Sequence, residues 1–230
     1  MRVIFLLVLA LLVSTPVNAQ VNNKIIPFAG VQEECVQVGE ISFGAGGRWA
    51  NCHVTRGRWV ATIDFLDLYQ AQYCLSKKAD VCDKRAMVIF ANRAYTPEAS
   101  ILMVRVDDSG MEYDDPLVVI DGDESVMSIS AHSLAGTVTK SFFLWRSDHW
   151  VPMSAQTWLP DLTAYIPNGT SARQGSSWPD LETMSAQVSL FEKGDADCCP
   201  SGGVASVELG LVNEKFTVKQ VKVLSRDELH

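Results

Sequence analysis

The stretch "GGVASVELGLVNEKFTVKQVKVL", residues 202–224, contains two apolar runs that meet at a short polar break. Before the break, apolar residues recur at every second position, at Val207, Leu209 and Leu211. This period of two is typical of a strand with one buried face. The stretch therefore predicts a β-hairpin that turns at Asn213–Glu214.

Two upstream segments repeat the pattern of an apolar run, a polar turn and a second run with an aromatic residue. Residues 51–64, "NCHVTRGRWVATID", predict a hairpin that turns at Arg56–Gly57. Residues 139–155, "TKSFFLWRSDHWVPMSA", predict one that turns at Ser147–Asp148. Further strands are predicted at 86–92, 100–106, 115–121 and 125–131, with breaks at Pro97, 114–116 and 121–123. We expect a mainly β fold of antiparallel sheets or hairpins, sandwich- or barrel-like, with one or two short helices.

Two segments have features of helices. Residues 64–78, "DFLDLYQAQYCLSKK", place Phe65, Leu68 and Tyr69 near one helical face, with Asp64 as the capping residue. Residues 179–191, "PDLETMSAQVSLF", begin with helix-opening residue types and then alternate like a strand. The intervening segment 159–180 is rich in Gly, Pro, Ser and Asn and predicts a long surface loop.

Residues 1–19 have the pattern of a secretory signal peptide. Arg2 precedes an apolar run that is shorter than the roughly 20 residues needed to cross a bilayer, and a small residue, Ala19, lies at the expected cleavage site. We expect a periplasmic or secreted mature chain, residues 20–230, without a transmembrane segment. It is predicted to form a single disulfide-stabilised β-rich domain, with the C-terminal hairpin region 180–230 as a candidate subunit.

The charge of the chain argues against nucleic acid as a partner. Removing residues 1–19 deletes one positive charge and no negative one, so the formal net charge changes from -8 to -9. Phosphate backbones bind clustered Lys and Arg, which an acidic chain does not favour. We therefore expect a protein or another component of the cell envelope as the partner.

Secretion predicts disulfides for the cysteines of the chain, which are Cys35, Cys52, Cys74, Cys82, Cys198 and Cys199. One arrangement pairs the first two and the next two by proximity, and leaves the adjacent pair to bond to each other, stay free or link to another molecule. The other arrangement sends each of the adjacent pair to a different distant cysteine. No nearby His and no C-x-x-C spacing accompany them, so neither a metal centre nor a thioredoxin-like motif is predicted.

The adjacent cysteines lie in "GDADCCPSGG", residues 194–203. We expect this turn to join a strand near 188–190 to the final hairpin, and its cysteines to hold the C-terminal unit in the domain. The "CCPSGG" turn followed by this hairpin resembles the C-terminal segment of uncharacterised secreted bacterial proteins. The resemblance implies a compartment and a structural role for the turn, and brings no activity or catalytic residue with it.

No catalytic residue emerges from the histidines, which are His53, His132, His149 and His230. Asp148 beside His149, and the serines on either side of His132, are candidate catalytic pairs. However, the sequence has no G-x-S-x-G nucleophile elbow, and no cofactor is predicted. A catalytic triad is defined by geometry that spacing does not supply.

The acidic run at 106–125 contains weak calcium candidates at Asp121, Asp123 and Glu124, because calcium prefers oxygen ligands in flexible loops. The order of these residues does not match an EF-hand loop. Solvated turns between strands are the simpler interpretation, and a glycosidase carboxylate pair has no better support.

These observations favour a non-catalytic binding or interaction module of the cell envelope that uses a β-surface or aromatic hairpin tips. Tryptophans are the candidate aromatic anchors, although most of them are expected in the core: Trp49, Trp59, Trp145, Trp150, Trp158 and Trp178. The alternatives are a hydrolase of envelope polymers and a periplasmic inhibitor or immunity protein whose acidic surface meets a basic enzyme. Converging His, Asp or Glu side chains would favour the enzyme, and an exposed apolar or acidic patch the binder.

Overall fold

A computed structural model of the chain describes residues 25–27, 35, 52–78, 81–93, 96, 98–107, 110–133, 135–173 and 177–225. This part of the chain is mainly β, as the sequence predicts, with antiparallel strands and one short helix. The signal peptide predicted at 1–19, the break predicted at Pro97 and the candidates Trp49 and His230 lie outside the described residues.

Sheet 1 has the strand order β1-β5-β4-β3-β2. Its strands are β1 (Ile25–Pro27), β2 (His53–Ile63), β3 (Leu66–Lys78), β4 (Val81–Arg93) and β5 (Glu98–Asp107). Sheet 2 has the order β10-β9-β8, and the far side of β8 pairs with both β6 and β7. Its strands are β6 (Glu112–Tyr113), β7 (Leu117–Asp121), β8 (Glu124–His132), β9 (Val138–Arg146) and β10 (His149–Met153).

Sheet 3 has the order β11-β12-β13-β14. Helix α1 (Leu159–Leu162) precedes its strands, which are β11 (Thr170–Ala172), β12 (Ser185–Glu192), β13 (Val204–Val212) and β14 (Lys215–Leu224). The hairpin predicted at 202–224 is confirmed, because β13 and β14 pair from Val204–Leu224 to Val212–Lys215.

Sheet 2 is covered on both faces by apolar neighbours. Successive side chains of a strand point to opposite faces, so the unbroken apolar run at the end of β9 supplies both. Phe142 and Leu144 pack with α1 and sheet 3, whereas Phe143 and Trp145 pack with sheet 1. Sheet 2 is therefore the middle layer, with one core cluster against α1 and sheet 3 on one face and another against sheet 1 on the other.

A further cluster lies on the face of sheet 1 that does not meet sheet 2. Its buried members include Tyr73, Val88, Phe90 and Ile101. Cys35 and Cys52, which form a disulfide, are partly buried against it. Sheet 1 is therefore apolar on both faces, which explains why its strands lack a simple alternating pattern.

The helix predicted at 64–78 is wrong. Asp64 and Phe65 form a turn, and Leu66–Lys78 is β3, which pairs with β2 and β4 along its length. Apolar residues on both strand faces, interrupted by the buried Gln70 and Gln72, imitate a helical period. The hairpin turn predicted at Arg56–Gly57 is also wrong, since β2 continues through it.

Segment 179–191 forms no helix at its start, whereas the strand-like alternation at its end is confirmed. Residues 181–184 form a turn and Ser185–Glu192 is β12. The helix that forms is α1, inside the segment predicted as a surface loop. Leu159 and Leu162 are buried there beside Trp158, so apolar anchoring to the core outweighs the local loop composition.

Candidate functional site

Four two-residue hairpin turns from all three sheets gather at one end of the molecule, which we call the hairpin end. The turns are Asp64–Phe65 in sheet 1, Gly122–Asp123 and Ser147–Asp148 in sheet 2, and Asn213–Glu214 in sheet 3. The last two agree with the turns predicted from the sequence. Two-residue turns are the shortest connection between antiparallel strands and leave few backbone groups to satisfy.

Two consecutive residues at the end of β9 join these turns. The indole Nε1 of Trp145 donates to Asp64 Oδ2 at 2.8 Å. The guanidinium of Arg146 donates to Glu214 Oε1 at 2.9 Å and to Glu124 Oε1 at 3.3 Å. The hydrogen bond with Glu214, followed by that with Glu124, raises the pKa of Arg146. The central sheet therefore holds the hairpins of its two neighbours in place.

The backbone at the hairpin end is enriched in left-handed conformations. Five of the six non-glycine residues with positive φ in the described chain lie in these turns: Asp64 (49°), Phe65 (65°), Ser147 (55°), Asn213 (50°) and Glu214 (67°). Turns with positive φ match the twist of the flanking strands, and Asn, Asp and Gly are the residues that usually occupy them. Phe65 is the exception, because a bulky side chain is disfavoured in this region.

Phe65 is also 90% exposed, so no packing offsets its backbone strain. Two other large apolar side chains at this end are more than half exposed, Ile120 at 58% before the β7–β8 turn and Val212 at 53% before the β13–β14 turn. Each of the three sheets thus contributes one exposed apolar residue. Backbone strain clusters at functional sites, and exposed apolar surface marks contact with another molecule where it forms a patch.

The hairpin end is acidic. Its turns and the residues that flank them contribute the carboxylates Asp64, Asp121, Asp123, Glu124, Asp148 and Glu214 and the cations Arg146 and Lys215. Six negative and two positive charges leave a net charge of -4 over these segments, with Arg146 already paired internally. The exposed apolar residues therefore lie among excess carboxylates.

The calcium candidates lie in the same region. Asp121 and Glu124 are cross-strand neighbours at the β7–β8 turn, and Glu124 is paired with Arg146. Across the described ranges, no three His, Cys, Asp or Glu side chains are grouped so that they could hold a metal ion. The calcium site stays a prediction without a ligand set to support it.

The tryptophans that the structure describes are mostly core residues, as expected. Trp145, Trp150 and Trp158 are buried and Trp178 is partly buried. Trp59 is 53% exposed on β2, the strand that ends sheet 1 in its strand order. Sequence reasoning directed attention to Trp and therefore missed Phe65, whose only signal is a bulky aromatic residue beside Asp64 at a strand break.

The histidines separate into two kinds of environment. His53 and His149 are exposed, and Nδ1 of His149 lies 2.9 Å from its neighbour Asp148. His132 lies between two carboxylates, with Nδ1 3.3 Å from Asp114 and Nε2 3.6 Å from Glu112. Glu112 is in turn 3.2 Å from Arg85 Nη2.

The serines beside His132 have structural partners. Ser133 Oγ accepts from the backbone N–H of Thr137 at 3.1 Å, and the Ser130 carbonyl accepts from the Asp114 N–H at 2.9 Å. His132 thus contacts two carboxylates, and the structure places no serine hydroxyl in a hydrogen bond with it among the contacts of the described chain. This arrangement offers an imidazole and a carboxylate but not a serine triad.

A polar connection between sheets 1 and 2 was not foreseen from the sequence. Asp115 accepts from Arg56 at 3.1 Å and also from Arg58 and the fully buried Gln70. Gln72 donates to Gln70 at 3.2 Å. Buried amides need partners, so this chain of hydrogen bonds is a structural link between the layers.

The disulfides follow the arrangement by proximity. Cys35 is bonded to Cys52, Cys74 to Cys82 and Cys198 to Cys199. The turn at 194–203 does join β12 to the final hairpin, as predicted. The expectation that its cysteines hold the C-terminal unit in the domain is wrong, because the two sulfurs are bonded to each other and cross-link nothing else.

Comparison with known proteins adds no relationship: no protein-family model matches the chain, and no curated protein matches it in sequence. Within the described ranges, no helix has the length and apolar character needed to span a membrane.

Proposed function

We propose that this chain is a secreted or periplasmic, non-catalytic binding module of the cell envelope that contacts a protein partner through the hairpin end. The single observation that carries the proposal is Phe65, which is almost fully exposed and held in a left-handed backbone conformation at the tip of a hairpin. Within the part of the chain that the structure describes, no packing accounts for a phenylalanine at this position, whereas an aromatic anchor for a partner does.

The surroundings of Phe65 define the chemistry of the partner. Ile120 and Val212 are the other large apolar residues exposed at the hairpin end, and the carboxylates of its turns give this end a negative charge. A complementary surface would offer an apolar pocket for Phe65 with Lys and Arg around its rim. The rigid connection of the turns through Trp145 and Arg146 keeps the anchor in place before binding and so lowers the entropy cost of association.

Three disulfides support an oxidising compartment, because such bonds persist outside the cytoplasm. The signal peptide expected at 1–19 and the resemblance of the C-terminal turn to secreted bacterial proteins support the same location and a bacterial source. An inhibitor or immunity protein is the narrower form of this proposal, in which the basic partner is an enzyme whose activity falls on binding.

The test is affinity capture from an envelope extract of the source bacterium with three tagged baits that lack residues 1–19. The baits are wild type, Phe65→Ser and the control Trp59→Ser, which removes an exposed aromatic residue from β2 instead of the hairpin end. We expect a basic partner that wild type and Trp59→Ser retain and Phe65→Ser loses. Retention by Phe65→Ser together with loss by Trp59→Ser would move the interface to the edge of sheet 1 and contradict the proposal.

A hydrolase of envelope polymers is the second candidate, and the observation that favours it is His132 between Asp114 and Glu112. A positioned imidazole with a carboxylate neighbour is a candidate general base. Release of soluble fragments from purified peptidoglycan or envelope polysaccharide, abolished by His132→Ala but not by His149→Ala, would establish this activity. We expect no release from wild type.

A further inference from the structure

The loop that joins β12 to β13, residues 193–203, carries an exposed disulfide between adjacent residues; we call it the cysteine loop. Cys198 and Cys199 are both exposed, whereas Cys74 is fully buried and Cys82 nearly so. The sequence separation of one residue means that the bond closes a minimal ring. In the chain-entropy account, the stability gained from a disulfide grows with the length of the loop that it closes, so this bond adds little to the fold.

Other contacts hold the cysteine loop in shape. The Asp195 carboxylate accepts from the backbone N–H of Glu192 at 2.7 Å and from the N–H and Oγ of Ser201, both at 2.8 Å. These hydrogen bonds, led by the one from the Ser201 backbone, lower the pKa of Asp195. At the base of the loop, Leu190 exchanges hydrogen bonds with Gly202 and Gly203 at 2.9 Å. The Asp195 carboxylate thus connects the two ends of the loop.

Arg173, which follows β11, supports the loop from one side. Its guanidinium lies 3.9 Å from the centroid of the Phe191 ring, donates to the Asp195 carbonyl at 3.2 Å and pairs with the Asp197 carboxylate. The Cys199 N–H donates to the Ala196 carbonyl at 3.0 Å. None of these contacts uses a sulfur atom, so the loop does not depend on the disulfide for its conformation.

From these observations we propose that the Cys198–Cys199 bond is a site of thiol–disulfide exchange with an external dithiol, and that the cysteine loop presents the two sulfurs to it. This disulfide links no two secondary-structure elements, is exposed to solvent and lies on a loop that other contacts hold in place. It therefore has the accessibility that exchange requires. Its cleavage costs the fold little, so the reaction is reversible in the folded protein.

One thiolate of the dithiol attacks one sulfur of the pair, forming a mixed disulfide and releasing the neighbouring cysteine as a thiolate. The second thiolate of the dithiol then attacks the mixed disulfide and releases the other cysteine. The dithiol becomes a cyclic disulfide and loses two electrons and two protons, which Cys198 and Cys199 gain as two thiols. Because the released cysteine is the adjacent residue, it also lies within reach to reverse the first step.

The test uses limiting dithiothreitol on the native protein, followed by alkylation and peptide mapping at successive times. We expect the thiols of Cys198 and Cys199 to appear at least about tenfold faster than those of Cys74 and Cys82, because the first two sulfurs are exposed and the other two are buried. The melting temperature of the selectively reduced protein should stay within about 2 °C of the oxidised form, since the minimal ring contributes little. Oxidised dithiothreitol, or oxidised glutathione in excess, should restore the bond.

The control is the double variant Cys198→Ser/Cys199→Ser, which should show no early thiols and melt within the same interval of wild type. Reduction of Cys74–Cys82 before the adjacent pair would overturn the proposal. So would a melting temperature that falls by roughly 5 °C or more when only the adjacent pair is reduced, because the bond would then be a structural one. Neither result bears on the hairpin end, so this proposal and the proposed function fail independently.

Discussion

The hairpin end and the cysteine loop lie at opposite ends of β13, and the conformation of the exposed backbone is fixed differently in each. At the hairpin end, strand pairing sets each two-residue turn, and the side chains of Trp145 and Arg146 connect the turns to one another, so Phe65 and Val212 themselves stay exposed. In the cysteine loop, the side chains of Asp195 and Arg173 are used to hold the backbone. The short turns expose apolar side chains, whereas the long loop exposes a disulfide.

The largest expected effect comes from Trp145, which connects the hairpin end to the core. Trp145→Ala should lower the free energy of unfolding by about 3–5 kcal/mol, because it removes a buried ring that packs on Trp150. The matched control Trp145→Phe keeps most of the packing but loses the hydrogen bond to Asp64. It should lower the free energy of unfolding by about 1–2 kcal/mol. Urea unfolding measures both. A loss below about 1 kcal/mol for the alanine variant would contradict the role of this residue.

The cost of replacing glycine by alanine can be compared directly between the two regions. Gly203, at the base of the cysteine loop, has a φ of 91°, and an added Cβ would press directly on the carbonyl oxygen of Leu224. Gly122, at the hairpin end, has a φ of 62° and open space around the Cβ position. Gly203→Ala should therefore cost about 3 kcal/mol and Gly122→Ala about 1 kcal/mol, as measured by thermal unfolding. Equal costs would show that the close backbone approach at Gly203 is unimportant.

A smaller and local effect is expected from pH at Asp195. Its pKa is lowered from the ordinary value of 3.8, chiefly by the Ser201 N–H, so the charged form is favoured in the folded state. The stabilisation is complete above the ordinary pKa and is lost as the pH falls through the lowered one. The Ser201 amide resonance should therefore shift at a pH below 3.8. In Asp195→Asn, this acid-dependent shift should be missing, and its persistence would assign the titration to another group.

Much of the fold could be predicted from the sequence where one face of a strand is buried. The alternation through Val207, Leu209 and Leu211 identified the β13–β14 hairpin and its turn. The alternation failed in β3, because both faces of sheet 1 are buried and Gln70 lies inside as part of a polar link. Burial on two faces and hydrogen bonds between distant strands are properties of the assembled layers, which a local pattern does not contain.

The sequence predicted the type of candidate site but not its central residue, Phe65. Aromatic hairpin tips were expected, but Asp64–Phe65 has none of the glycine or asparagine that usually indicates a tight turn, so it was interpreted as a helix start. The adjacency of Cys198 and Cys199 left several pairings open, and only the positions of the other four cysteines in the folded chain decide among them.

The most direct test of the account is Phe65→Gly, read out by both stability and binding. Asp-Gly is a favoured sequence for this turn and relieves the left-handed strain, so the variant should be about 1 kcal/mol more stable to urea than wild type. Its affinity for the captured partner, measured by titration calorimetry, should nevertheless fall at least about tenfold, because the aromatic anchor is gone. An unchanged affinity in this more stable protein would contradict the claim that the hairpin end binds its partner through Phe65.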